Sequence, residues 1–305
     1  MSDYMTTLPP QPEPAPQEKK SIMAPAALCT AIAALVLSLC ALLMALPTRE
    51  VQPPVDPALP APDAIVTYKN YQLPAFAQVP VNPYDSAAFS ALNGRVNYNG
   101  TAARAMTGVD VSVYQEDIDW KQVKASGVDF AMIRVGFRGY GPSGIVSEDS
   151  RFRDNIAGAL DAGLQVGVYF FSQATNVWEA QEEANFVLNA IKDYNVTFPV
   201  VFDWERITNA SARTDGLPGG TITLCARTFC DTVAQAGYTP MVYFNLDLGY
   251  LSYDLNQLKD YGFWLAEYRA TPTFFYDFDM WQYTAKGSVP GIKGNVDLNL
   301  YLVRE

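Results

Sequence analysis

Histidine is absent from all 305 residues of this chain. That removes the serine–histidine and cysteine–histidine nucleophile systems, and with them every metal site that leans on imidazole. Charge is scarce as well, at 17% of residues against 49% hydrophobic. Neither a disordered acidic tail nor a disulfide-built miniature has that composition. Positive charge is the rarer sign: 21 Lys and Arg face 32 Asp and Glu, for a net charge of −11. A phosphate backbone would be repelled rather than gathered, which counts against nucleic acid as a partner. Cysteine is limited to four residues. Cys29 and Cys40 lie in an apolar run, while Cys225 and Cys230 sit in a helix-like segment where a five-residue step turns side chains about 140° apart. Those two read as buried free thiols rather than a disulfide. No metal and no cofactor is predicted.

What is present is unevenly spread. Fifteen of the 21 prolines precede residue 84, and no charge occurs between Lys20 and Arg49. Residues 22–46 are apolar apart from Pro25, Thr30 and Ser38. As a helix at about 1.5 Å per residue they cover about 37 Å, enough to cross a hydrocarbon core of about 30 Å. The competing reading, a cleaved signal peptide, has a shorter apolar region near the N-terminus, and Ala45-Leu46-Pro47 is a poor small-x-small cleavage site. The expectation is therefore a cytoplasmic tail over 1–21 and a single transmembrane helix over 22–46. Lys19 and Lys20 keep the N-terminus inside the cell membrane and put the rest of the chain outside. Residues 47–83 carry nine prolines and read as an extended spacer reaching at most roughly 115 Å. Residues 84–106, with Tyr84, Phe89, Leu92, Val96 and Tyr98, read as an extension packed on a neighbouring domain, and 107–305 as that domain.

From Thr107 short apolar runs alternate with amphipathic stretches. Strands are predicted at 108–112, 129–136, 164–171, 199–204, 240–245, 263–268, 280–284 and 295–300, with helices at 120–126, 151–162, 177–192 and 221–236. Gly127, Gly163 and Gly237 stand where left-handed C-caps belong. Strands alternating with helices imply a parallel α/β sheet, and eight of them suggest a closed barrel whose last strands leave no room for helices.

Sites in such barrels lie at the C-terminal ends of the strands. Four carboxylates stand in or beside the apolar runs: Asp110, Asp203, Glu205 and Asp297. Buried charge is costly without a partner or a purpose. Asp203 and Glu205, two apart on a strand, face the same side with Cα atoms about 6.6 Å apart. One carboxylate beside another raises the pKa of one of them, and a protonated acid beside an ionised group is what glycosidic cleavage requires. The bland alternative is a chance D-x-E in an acidic chain. Of the strand aromatics, Phe171, Trp204, Tyr243, Trp264 and Tyr283 read as core, while Tyr169, Tyr268 and Trp281 are candidates for stacking on sugar faces.

The blocks GVDVSVYQEDIDW (108–120), FAMIRVGFRGY (130–140), GLQVGVYFFSQA (163–174), PVVFDWE (199–205), AGYTPMVYFN (236–245), FWLAEY (263–268) and MWQYTAKGSVPGIKGNVDLN (280–299) occur in that order. In order and spacing they resemble the glycoside hydrolase family 25 lysozymes over all of 107–305. The resemblance implies a flattened TIM-like barrel of the (β/α)5(β)3 type. It also implies N-acetylmuramidase activity on peptidoglycan glycan strands, at the β-1,4 bond between N-acetylmuramic acid and N-acetylglucosamine. It makes Glu205 the proton donor, Asp203 its ionised companion, and Asp110 and Asp297 the aspartates of the site floor, with attack by the substrate's own acetamido oxygen. Tyr169, Tyr268, Trp281 and Gln282 fall at motif positions that line the groove. Glu116 departs from the pattern, since members often carry glycine before the aspartate–tryptophan turn. Two other readings stay open: a catalytically silent glycan-binding protein on the same barrel, and a hydrolase of chitin-like oligomers.

Overall fold

The computed structural model describes residues 58–208 and 210–304. The apolar run at 22–46 and the tail before it lie outside the described residues. Among the described residues no helix is long and apolar enough to cross a membrane.

Eight strands close a barrel: β5 (Arg104–Val111), β6 (Phe130–Arg138), β8 (Gln165–Ser172), β9 (Val200–Trp204), β10 (Pro240–Asn245), β11 (Gly262–Ala266), β12 (Met280–Gly287) and β13 (Val296–Val303). From β5 round to β12 neighbours run parallel, and short β7 (Val146–Glu148) adds to β6 as an antiparallel flap. The final strand departs from the parallel expectation, since β13 pairs antiparallel with both β12 and β5. Only residues 288–295 link β12 to β13, too few for the crossover a parallel neighbour needs. This reversal matters to the site. It brings the start of β13 to the end of β5, so that Asp297 stands opposite Asp110 in register.

Side chains alternate across each strand with a period of two, which sorts them into two cores. Phe130, Met132, Val201, Met241, Trp264 and Met280 fill the barrel interior. Val109, Ile133, Val168, Phe202, Phe244, Leu265, Trp281 and Leu300 form part of the larger outer layer. Gly108 makes room inside, because a Cβ there would stand 2.2 Å from the Phe130 ring. The helices α1 (Trp120–Ala125), α2 (Phe152–Asp161), α3 (Val177–Ile191), α4 (Gly219–Gln235) and the short, unforeseen α5 (Leu246–Leu251) cover part of the outer layer. Asp119 caps α1 and Asn176 caps α3 through their side chains. Cys225 and Cys230 are free and buried.

Between β11 and β12, and between β12 and β13, no α-helix intervenes. An N-terminal arm covers this side. Its hairpin of β1 (Ile65–Tyr68) and β2 (Tyr71–Pro74) leads to a strap that buries Val79 and pairs Val81 with Tyr276. The second hairpin, β3 (Phe89–Leu92) with β4 (Arg95–Tyr98), presses Phe89 edge-on to Trp281 with ring centroids 5.4 Å apart. The spacer expected over 47–83 is corrected for its later part, since residues 65–83 fold on the barrel, while 47–57 lie outside the described residues. Their own composition supports no core, but Phe274, Tyr276 and Phe278 of the helix-less return supply a ready apolar surface.

Candidate active site

The interior columns that hold apolar residues at the base of the barrel turn polar towards its mouth. On β5 Gly108 is followed by Asp110, on β9 Val201 by Asp203, and on β12 Met280 by Gln282. The same period of two that packs the plug thus aims these groups into one cleft of about 780 Å³. Asp110, Asp203, Glu205 and Asp297 all line it, as do Tyr169, Tyr268 and Gln282. Trp281 does not. It is fully buried in the outer core and donates its indole N–H to the Glu267 carbonyl at 2.8 Å. The reason is parity, because adjacent strand residues face opposite sides and Gln282 takes the inner one.

Asp110 Oδ2 accepts from the side-chain amides of Asn299 at 2.7 Å and Gln282 at 2.9 Å. The Gln282 carbonyl oxygen in turn accepts the hydroxyls of Tyr243 and Tyr268, each at 2.9 Å. Asn299 Oδ1 accepts the Trp264 indole N–H at 2.9 Å. Asp203 contrasts with this well-bonded floor: its Oδ1 is buried and has no hydrogen-bond partner in the protein. Arg134 approaches from β6, where its Nε donates to Asp149 Oδ2 at 2.7 Å.

Burial raises all four carboxyls above their ordinary range. For Asp110, burial is followed by the charge of Asp297, against which the two amide donors pull down. Asp203 is raised by burial, then by Glu205 and Asp110, with Arg134 opposing. Burial and then Asp297 raise Glu205, and burial pushes Asp297 up to about 6. The repulsion expected between Asp203 and Glu205 is present and raises Asp203, while Asp297 adds to Glu205. The shifts spread over all four because the acids share one low-dielectric cleft. Raised proton affinity of this kind is what a group that delivers a proton to a leaving group needs.

Sequence reasoning missed several cleft residues. Tyr243 and Trp264, read as core, line the cleft alongside Phe171, Tyr114 and Arg134, and Asn299 supports its floor. Parity with the carboxylates was the signal that could have found them: Tyr243 pairs in register with Asp203, and Asn299 lies two residues from Asp297.

Comparison with known proteins agrees with this geometry. The profile of the glycosyl hydrolases family 25 matches residues 109–292. The autolytic lysozyme of Clostridium acetobutylicum is 29% identical over 196 residues, 64% of this chain and 55% of its own length. Lysozyme M1 of Streptomyces globisporus is 30% identical over 210 residues, 64% of this chain and 67% of that protein. Among solved structures, the modular autolysin LytC from Streptococcus pneumoniae superposes with a TM-score of 0.56 at 26% identity, over 70% of this chain and 52% of LytC. The chain thus spans about half the length of the first of these lysozymes and of LytC. With the carboxylate cluster at the mouth of its barrel, the chain belongs to glycosyl hydrolases family 25.

Proposed function

We propose that this chain is an N-acetylmuramidase that cleaves the β-1,4 bond between N-acetylmuramic acid and N-acetylglucosamine in peptidoglycan. The observation that carries the reading is the convergence of Asp110, Asp203, Glu205 and Asp297 on one cleft walled by aromatic rings. Two of the similar proteins are named lysozymes, and LytC has been solved with a synthetic peptidoglycan ligand.

Glu205, whose proton affinity burial and Asp297 raise, gives its proton to the glycosidic oxygen as that bond to the anomeric carbon breaks. The substrate's acetamido oxygen forms the replacing bond to the same carbon, a recognised alternative to an enzyme nucleophile. Asp203 faces this step with an oxygen that no protein donor occupies, so it can accept the acetamido N–H and balance the positive charge that develops. Water then opens the cyclic intermediate, giving its proton back to Glu205.

Replacing Glu205 by Gln tests the assignment, because a general acid typically contributes about 10² to 10⁴ in rate. The Glu205→Gln protein should keep its circular dichroism spectrum and lose that much peptidoglycan turnover. Retention of more than about a tenth would transfer the acid role elsewhere. Mass analysis of the new reducing ends should find muramic acid. Glucosamine ends would point to a different bond.

The same reading places the barrel outside a cell membrane, anchored by 22–46 with the N-terminus inside. Its support is the uncharged run and the Lys19–Lys20 flank. Protease added to intact cells should remove the barrel and spare residues 1–20. A soluble mature protein starting near Pro47 would replace the anchor by a cleaved signal.

A further inference from the structure

The floor of the cleft contains an arrangement that the four carboxylates alone do not require. An indole N–H can only donate, so Trp264 fixes which end of the Asn299 amide faces it. With Asn299 Oδ1 taken at 2.9 Å, the amide nitrogen must point the other way, and it meets Asp110 Oδ2 at 2.7 Å. A flipped amide would set donor against donor at the indole and oxygen against oxygen at the aspartate. Gln282 is locked on the same principle, since two tyrosine hydroxyls occupy its carbonyl oxygen and its nitrogen is left for Asp110. Asn299 is fully buried and Trp264 nearly so, so water does not compete for either bond.

We propose that Trp264 and Asn299 form a positioning relay that steadies the charged form of Asp110 within the carboxylate cluster. Asp110 Oδ2 receives two donors, which favour the charged form of the carboxyl, and a proton would have to sit on Oδ1. The groups that set this balance come from every neighbouring strand. The acids are Asp297 on β13 with Asp203 and Glu205 at the end of β9; the phenols are Tyr169, Tyr243 and Tyr268; Arg134 and Arg138 are the cations. For Asp110 itself the amides of Asn299 and Gln282 are the groups that favour the charge, against burial, Asp297 and Glu205. Loss of the Asn299 donor removes one such support and raises the aspartate's affinity for a proton. The inference rests on the hydrolase reading for its kinetic consequence, but not for its titration.

The test compares pH profiles of kcat/KM on solubilised peptidoglycan for the full chain and for Asn299→Leu. Loss of one charge-assisted donor should move the acid limb up by about one pH unit. Turnover below the limb would then fall about tenfold beyond any loss on the neutral plateau. Trp264→Phe should shift the limb the same way by less, because Asn299 then stays in place but is free to flip. A purely structural role would lower Tm and leave the limb where it was, so a folded Asn299→Leu protein with an unmoved limb overturns the proposal. The wild-type protein gives a second reading that needs no variant to fold stably. The Asn299 side-chain amide protons should shift with pH, with the midpoint of the kinetic acid limb. A flat amide signal overturns the relay, and it does so even if the wild type releases no wall fragments, the outcome that would instead sink the hydrolase reading.

Discussion

Glu116 adopts φ 53 and ψ −132 just after the short turn of helix at Val113–Gln115. A side chain is strained in that region and glycine is not, with a cost of roughly 1–3 kcal/mol. Glycine is the residue its relatives were expected to carry here, and the backbone explains why. The side chain is exposed and the residue does not line the cleft. Glu116→Gly should therefore raise the denaturant midpoint, by about 1 kcal/mol of stability, with peptidoglycan turnover unchanged. Trp281 provides the opposite case, a residue whose motif position suggests sugar binding but whose packing is structural. Trp281→Ala should cost about 3–5 kcal/mol in unfolding measurements, whereas a groove residue would first raise KM. Asp203 and Glu205 were legible from two residues of spacing after an apolar run. Asn299 was not, because a lone amide in a strand looks like any other polar residue until the indole behind it is known.

At the level of elements, the barrel strands could be read because parallel strands buried on both faces leave continuous apolar runs. VVFDW in β9, buried along its whole length, is the clearest case. The direction of β13 was harder to see, since it is written in the length of the 288–295 link and not in the strand itself. Least legible was the arm. A proline-rich segment does favour extended backbone, and extended it is. What composition hides is the surface waiting for it: Tyr68 stacks on Tyr250 at 4.5 Å, and its hydroxyl donates to Asp247 at 2.6 Å. Gln78 N donates to Asn256 Oδ1 at 3.0 Å. Truncation separates the two views. A chain starting at Ala58 should fold and hydrolyse soluble wall fragments like the full protein. One starting at Met106 should expose Phe274, Tyr276, Phe278 and Trp281, bind a hydrophobic dye and melt at lower temperature.

Over the whole molecule, buried acids tie stability to pH. Burial pushes Glu183 up to about 7 despite bonds from Ser172 and Arg138, and Asp277 and Asp297 up to about 6. Their ordinary values are 4.5 for the glutamate and 3.8 for the aspartates. Between those values and the raised ones the folded chain binds more protons than the unfolded one, so stability falls as pH rises through that window. Thermal unfolding should give a higher Tm at pH 5 than at pH 7.5, and Asp297→Asn should flatten the slope. A Tm that climbs across this range would show that these acids keep ordinary affinities in the folded state.

The carboxylate cluster is also divided between the two ends of the barrel's chain order. Asp110 belongs to the first barrel strand and Asp297 with Asn299 to the last, yet Asp110 and Asp297 stand side by side in register. During synthesis, then, the chain is inert until its final strand emerges and docks. A chain ending before Val296 would have a sheet with an open edge, an Asp110 left with one of its two amide donors, and three of the four acids. On the proposed function, hydrolysis should therefore arrive with the last strand rather than accumulate along the way.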